Sequence, residues 1–177
     1  FWHSRTQQGT KVRYTQDVDP AKGALMFHTI SNLIGDRLSR GKATVSVAES
    51  STGGLISANL LSVPGASRFF VGGSVVYTRE SRRAFLTLDK EKLSGLQPLT
   101  PEIVQVFADG ARETLGTTWG IAELGAAGPA GSPYGGGAGV SVIGISGPIS
   151  RAIKVETGSN DRADNMLAFT EAALELF

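Results

Sequence analysis

Two glycine-rich stretches each follow directly on a short β-branched run, and this constrains the fold more than any other feature of the chain. The first is Ser50-Ser51-Thr52-Gly53-Gly54, after ATVSVAE (43–49). The second is GAAGPAG (125–131), after WGIAELG (119–125). The first leads into LISANLLS, an amphipathic helical pattern. Strand, glycine turn and helix form the unit from which parallel sheets are built. Other apolar residues fit the same scheme. Leu25, Met26, Phe27, Ile30, Leu33, Ile34 and Leu38 recur at helical spacing, with Arg37 and Arg40 near the end and Gly41 as a stop, so a helix is predicted over 23–40. A strand is predicted over 69–78 and a short helix over 79–86. Thr100 caps a helix that reaches Leu115, with Pro101 at its first position. Strands over 138–146 and 149–157 form a hairpin about Gly147-Pro148, and a helix over 161–177, capped by Asp161 or Asn160, closes the chain. The expected fold class is α/β, a three-layer αβα sandwich with a mixed sheet and helices on both faces. Residues 1–22 are polar and aperiodic. They predict an irregular N-terminal arm ahead of one domain over 23–177.

Composition narrows the chemistry. The 177 residues include no cysteine, which excludes disulfides, Cys-ligated zinc, iron–sulfur clusters and a thiol nucleophile. His3 and His28 are the two histidines, too few for a His-based triad or metal site, so no metal or cofactor is expected. Lys and Arg total 17 against 16 Asp and Glu, which gives no basic excess of the kind nucleic-acid binders carry. No apolar run reaches the ~18 residues of a membrane span. The chain begins at Phe1 rather than Met, which predicts a processed or trimmed product.

Three constellations can carry chemistry. Ser50–Gly54 at a strand-to-helix junction offers hydroxyls and helix N-terminal N–H groups, either as a cradle for a phosphate or carboxylate or as an ordinary helix cap. It is not a P-loop, because no Gly-Lys-Ser/Thr follows. Gly125–Gly131 lies where open α/β sheets bind ligands, beyond the carboxyl ends of strands; Gly135-Gly136-Gly137 reads as a loop tip. Ser67, after Pro64-Gly65-Ala66, is followed by Tyr77 and by Arg79, Arg82 and Arg83. A serine nucleophile needs a base nearby, and without a suitable histidine Ser67 reads equally as a turn residue, with the arginines as a solvated face that can pair with Glu80.

VAESSTGGLISANLLSVPGASRFFVGGSVVYT resembles the C-terminal domain of CinA, the competence/damage-inducible protein, whose stand-alone form, PncC, is a nicotinamide mononucleotide deamidase. The family pattern Ala-Glu-Ser-Cys-Thr-Gly-Gly, Pro-Gly-Ser-Ser and Gly-x-x-x-Tyr reads here as Ala48–Gly54, Pro64–Ser67 and Gly73–Tyr77. Thr-Gly-Ile-Ala-Gly-Pro-Gly-Gly reads as Leu124–Gly131, and Gly-Asp-Arg as Asn160-Asp161-Arg162. The resemblance covers about residues 23–177 and implies a three-layer α/β sandwich. It also implies hydrolysis of the nicotinamide carboxamide by a serine nucleophile, a lysine base and an assisting tyrosine. Carried over, these fall on Ser67, Arg82 and Tyr77. Ser50, Ser51, Thr52, Gly53, Gly54, Arg79, Gly125, Gly128 and Arg162 fall at substrate-binding positions.

The departures matter. A desolvated lysine can lose its proton near neutral pH, whereas a guanidinium stays protonated, so Arg82 cannot take the proton from Ser67. The family asparagine two beyond the tyrosine is Arg79, the threonine is Leu124, and the cysteine is Ser51. Three functions follow as expectations: an impaired nicotinamide-nucleotide amidohydrolase, a non-catalytic subunit of an assembly, or a nucleotide-binding regulator. The resemblance implies a nicotinamide nucleotide ligand and a homo-oligomer or larger complex. The non-Met start, the arm and the altered site predict an intracellular, organellar chain, in a chloroplast stroma ahead of a mitochondrion, or otherwise a cytoplasmic one. Ser50–Gly54, Ser67, Tyr77, Arg82 and Gly125–Gly131 are expected to converge on one pocket.

Overall fold

The computed structural model describes residues 27–131 and 137–177. The predicted arm over 1–22, the helix start over 23–26 and part of the loop tip lie outside the described residues. In chain order the elements are α1 (His28–Arg40), β1 (Val45–Glu49), α2 (Leu55–Leu61), a 3-10 turn (Ala66–Arg68), β2 (Phe70–Val75), α3 (Arg79–Phe85), α4 (Lys90–Leu93), α5 (Pro101–Leu115), β3 (Trp119–Ala126), β4 (Val140–Ser146), β5 (Arg151–Glu156) and α6 (Arg162–Leu176). The sheet order is β2-β1-β3-β4-β5. β1 runs parallel to β2 and β3, and the β3–β4 and β4–β5 pairs are antiparallel. This is the mixed sheet expected, with helices on both faces.

Alternation along the strands builds two cores. Val45, Val47, Ile121, Ile143 and Ile145 pack with Ile34 and Leu38 of α1, Ile56 and Leu60 of α2, and Ala173 and Leu174 of α6. Ala48, Ala122, Leu124 and Val142 belong to the second core, with Val104, Phe107, Ala108 and Ala111 of α5. Every residue of β1 is buried, as a central parallel strand requires. Thr100 caps α5 by accepting the Ile103 N–H, with Pro101 in the first turn. Asp161 caps α6 by accepting the Asp164 N–H.

Two differences from the sequence reading have local causes. β2 ends at Val75, so Tyr77 lies beyond the strand; after Val76, Thr78 caps α3 in a reciprocal box with Ser81 and turns the chain away. α4 was not anticipated. It is four residues long, too short to show an apolar period, and Asp89 holds it by accepting the Glu91 and Lys92 N–H groups.

Candidate functional site

The C-terminal ends of β1 and β3, together with the chain just after β2, surround a cavity of about 350 Å³. Ser50, Tyr77, Thr78, Arg79, Arg82, Leu124 to Gly128 and Arg162 contribute to its wall. Leu99, which sequence reasoning missed, also lines it, and its φ of 54° is left-handed. No lysine, histidine or carboxylate is among the described lining residues, whereas three guanidiniums are.

Each arginine position has a local cause. Arg82 sits on α3 and donates its Nε–H to the Val76 carbonyl at 3.1 Å. Its guanidinium carbon lies 5.4 Å from the centre of the Phe107 ring, a cation–π distance. Arg162 opens α6 and donates to the Gly128 carbonyl at 2.8 Å and to the Tyr77 hydroxyl at 3.3 Å, above the Tyr77 ring. Arg79 opens α3, next to Glu80. The Glu80 carboxyl is held below its ordinary value by a backbone hydrogen bond and the Thr78 hydroxyl, with smaller help from Arg83 and Arg79 against a small opposing desolvation.

The loop after β3 is fixed by its carbonyls. Gly139 N–H donates to Ala126, the Asn165 amide to Ala127, and Arg162 to Gly128. Asn165, fully buried on α6, also reaches the Ser159 carbonyl and accepts the Thr157 hydroxyl proton. It was not singled out from sequence; its place one turn after the Asp161 cap is the clue that could have found it.

The Ser50–Gly54 loop differs from both sequence readings. The N–H groups of Ser50 and Thr52 and the hydroxyls of Ser51 and Thr52 are occupied by the protein's own carboxylates, whereas Ser50 also lines the cavity. Glu123, fully buried on β3, accepts the backbone N–H groups of Ser50 (3.0 Å) and Thr52 (3.1 Å) on one oxygen. On the other it accepts the hydroxyls of Ser51 (2.5 Å) and Ser141 (2.8 Å). Glu49, its neighbour across the β1–β3 pairing, is equally buried. It accepts the N–H groups of Ile56 (3.1 Å) and Ser57 (3.0 Å) and the hydroxyls of Thr52 (2.7 Å) and Ser57 (2.6 Å). A strand carboxylate therefore caps α2, while the helix's N-cap, Gly54 at φ 104°, has no side chain to do so. Gly125 is a glycine because a Cβ there would lie 2.2 Å from Ser51 Oγ.

Of the candidate site residues, the structure brings Ser50, Tyr77, Arg79, Arg82, Gly125, Gly128 and Arg162 together. Ser51 and Thr52 are sealed into the carboxylate network, and neither Gly53 nor Gly54 lines the cavity. Ser67 stands apart. It is exposed in the 3-10 turn before β2, whereas Tyr77 follows β2's other end. Six extended residues put roughly 17 Å between those ends. The expected convergence of Ser67 with Tyr77 is therefore not met within one chain. Among the described residues, no three His, Asp or Glu side chains gather where a metal could bind, and no helix is long and apolar enough to cross a membrane.

Residues 27–177 match the CinA C-terminal domain family. The chain belongs to that family. Its relatives include a CinA-like protein of Desulfosudis oleivorans, 33% identical over 97% of this chain and 43% of its own length. Another, from Salinibacter ruber, is 33% identical over 83% of this chain and 36% of its own. The chain thus spans less than half the length of these CinA-like relatives. Among solved structures, the competence/damage-inducible protein CihA from Agrobacterium tumefaciens superposes with a TM-score of 0.77, 26% identity, and coverage of 87% of this chain and 93% of its own. A CinA-superfamily protein of Escherichia coli, at TM-score 0.76, 18% identity and coverage of 98% and 96%, shares the fold.

Proposed function

We propose that this CinA-family domain binds a nicotinamide-nucleotide-type ligand, an aromatic amide carrying a phosphate, in the arginine-lined cavity, and that hydrolysis of the amide is impaired or lost. The observation that carries the reading is the wall itself: Arg79, Arg82 and Arg162 contribute to it, and no described carboxylate, lysine or histidine does. Guanidinium forks pair bidentately with phosphate oxygens. The volume of about 350 Å³ lies in the range of small-ligand sites. A general base needs an accessible neutral form near the working pH, and a guanidinium offers none. Arg82, at the lysine position of the family pattern, is tied to Val76 and stacked on Phe107. Its role here is to orient an anion. Leu124 adds a further loss, since it puts a methyl-bearing side chain where the family pattern has a hydroxyl. A regulatory or structural role in an assembly follows from the same cavity if ligand is held and not turned over.

The test is a calorimetric titration with nicotinamide mononucleotide, paired with an ammonia-release assay. Binding that weakens as salt rises, with ammonia release at background, is the expected result. Arg82→Lys should restore only weak turnover, because Arg79 and Leu124 still misplace the substrate. Robust turnover by the unmodified protein would overturn the loss of catalysis; no binding at all would overturn the ligand.

A further inference from the structure

The cavity has an inner end and an outer one, each with its own guanidinium. At the inner end Arg82 is half-buried, lies over the Phe107 ring and commits its Nε–H to the Val76 carbonyl. Its terminal N–H groups have no hydrogen-bond partner among the described residues. Leu99 and Leu124 line the cavity and pack in the same core cluster as Phe107, so the wall at this end is apolar apart from one guanidinium. At the outer end Arg162 and Tyr77 are exposed and lie against each other. A half-buried cation among apolar neighbours is costly to leave without a counter-ion, and the described wall holds no carboxylate to supply one.

The surroundings are also short of acceptors. The carbonyls of Val76, Ala126, Ala127 and Gly128 already receive protein donors, namely the Arg82 Nε–H, the Gly139 N–H, the Asn165 amide and the Arg162 guanidinium. The Tyr77 hydroxyl accepts from Arg162, which leaves its own proton to be donated. A carboxamide brings two N–H groups that need acceptors, whereas a carboxylate only accepts and fits a guanidinium fork with two parallel bonds.

We propose that the cavity selects the acid over the amide form of its ligand, an aromatic carboxylate that also carries a phosphate, and that Arg82 is the residue that reads the carboxylate. This rests on the reading of the cavity as a nucleotide site and names which nucleotide it prefers. The apolar inner end takes the ring, and the ring's carboxylate meets the terminal N–H groups of Arg82. The phosphate, the more strongly hydrated anion, stays at the exposed outer end with Arg162. Ring charge acts in the same direction. An N-ribosylated pyridine ring is cationic; the amide leaves that charge in place, while the carboxylate neutralises it. Like charges brought together without a counter-ion repel, so a wall of guanidiniums penalises the amide form. An acid bound more tightly than its amide occupies the site as an inhibitor of its own formation, which accords with the impaired hydrolysis proposed above.

The experiment is a pair of calorimetric titrations of the full chain, with nicotinate mononucleotide and with nicotinamide mononucleotide, which differ at this one group. The acid should bind at least about tenfold more tightly, as gain of a charge-assisted contact produces. Arg82→Gln should weaken the acid far more than the amide and bring the two affinities together. Arg82→Lys keeps the charge without the planar fork and should retain part of the preference; it carries the test if the circular dichroism spectrum shows that Arg82→Gln does not fold. Arg162→Ala should weaken both nucleotides by the same factor, because the phosphate is common to them. Equal affinity of the unmodified protein for the two forms, or tighter binding of the amide, would overturn the selection and leave the proposed function standing. A preference for the acid that survives in Arg82→Gln, or in Arg82→Lys undiminished, would overturn the role of Arg82. Binding of neither nucleotide would sink the proposed function and this inference with it.

Discussion

Two regions at the carboxyl ends of the same strands handle charge in opposite ways. On the face covered by α1, α2 and α6, the N–H groups of Ser50 and Thr52 and the hydroxyls of Ser51 and Thr52 point inward at Glu123 and Glu49, both fully buried. Where the α5 face meets the carboxyl ends of the strands and the start of α6, three guanidiniums gather around an open cavity with no described carboxylate in its wall. One step along β3 separates them. Glu123 faces the first region, and Leu124, of opposite parity, lines the second. Donors sealed from water must be satisfied internally, so the chain supplies its own anions there. The cavity's guanidiniums are held without a carboxylate in the wall, Arg82 by the Val76 carbonyl and Arg162 by the Gly128 carbonyl and the Tyr77 hydroxyl, so their charge is not neutralised there. Similar glycine-rich junctions therefore serve stability in one place and recognition in the other.

Removing the internal anion should produce the largest effect. Glu123→Ala leaves the Ser50 and Thr52 N–H groups and the Ser51 and Ser141 hydroxyls without their acceptor, in a site closed to water. At ~1–3 kcal/mol per unsatisfied buried group, with partial relaxation, the loss should reach about 4 kcal/mol in denaturant unfolding. Glu123→Gln should fall between, because its amide nitrogen cannot accept a backbone N–H. If Glu123→Ala unfolds at the wild-type denaturant concentration, the inward region is not the stabilising one, and the contrast drawn above collapses.

The layered fold was legible because its signals are local and repeated. The periodic residues of α1 and α5, the Thr100-Pro101 cap and the Gly147-Pro148 hairpin each specify their element without help from distant sequence. The site was legible where one wall segment follows directly on a strand, as with Ser50 and Gly125–Gly128. It was not legible where two strands had to be registered against each other. Glu123 sits in an apolar run, and only the β1–β3 pairing reveals that it lies beside Glu49 and fills the loop that looked like a phosphate cradle. A glutamate sharing the parity of Ile121 was the available clue. Ser67 shows the converse. Ten residues of sequence made it look close to Tyr77, and the extended geometry of β2 holds the two apart.

The cavity side of the comparison is sharpened by Arg162→Ala. Arg162 lies at the exposed start of α6, so stability should change little. Its guanidinium nevertheless links the Gly128 carbonyl to Tyr77 across the cavity. Losing a charge-assisted partner is worth ~1.5–3 kcal/mol, so affinity for nicotinamide mononucleotide should fall by tenfold or more in calorimetry. A variant that loses as much stability as Glu123→Ala while retaining its affinity would place Arg162 with the structural network instead.

Glu80 offers the intermediate case, an anion that is neither sealed nor awaited, and the smallest effect. Its carboxylate sits in the first turn of α3, where hydrogen bonds from the backbone and Thr78 favour the charged form, and Arg83 and Arg79 add to them. The folded value is therefore depressed relative to the unfolded chain. A depressed carboxylate contributes stability that is fully present above its unfolded value and is lost as pH falls through the folded one. The group is fully exposed, and solvent screening keeps such contributions small, so the sharper observable is the titration itself. In an NMR titration, the Glu80 midpoint should lie below that of the same glutamate in an unstructured peptide. Thr78→Ala should move it upward more than Arg83→Ala does, because the hydrogen bond outweighs the Coulombic attraction. A larger shift from Arg83→Ala would mean that long-range charge, rather than direct hydrogen bonding, governs anions at this rim, and the arginine cavity would then be expected to hold its ligand mainly by screened attraction, with affinity falling steeply in salt.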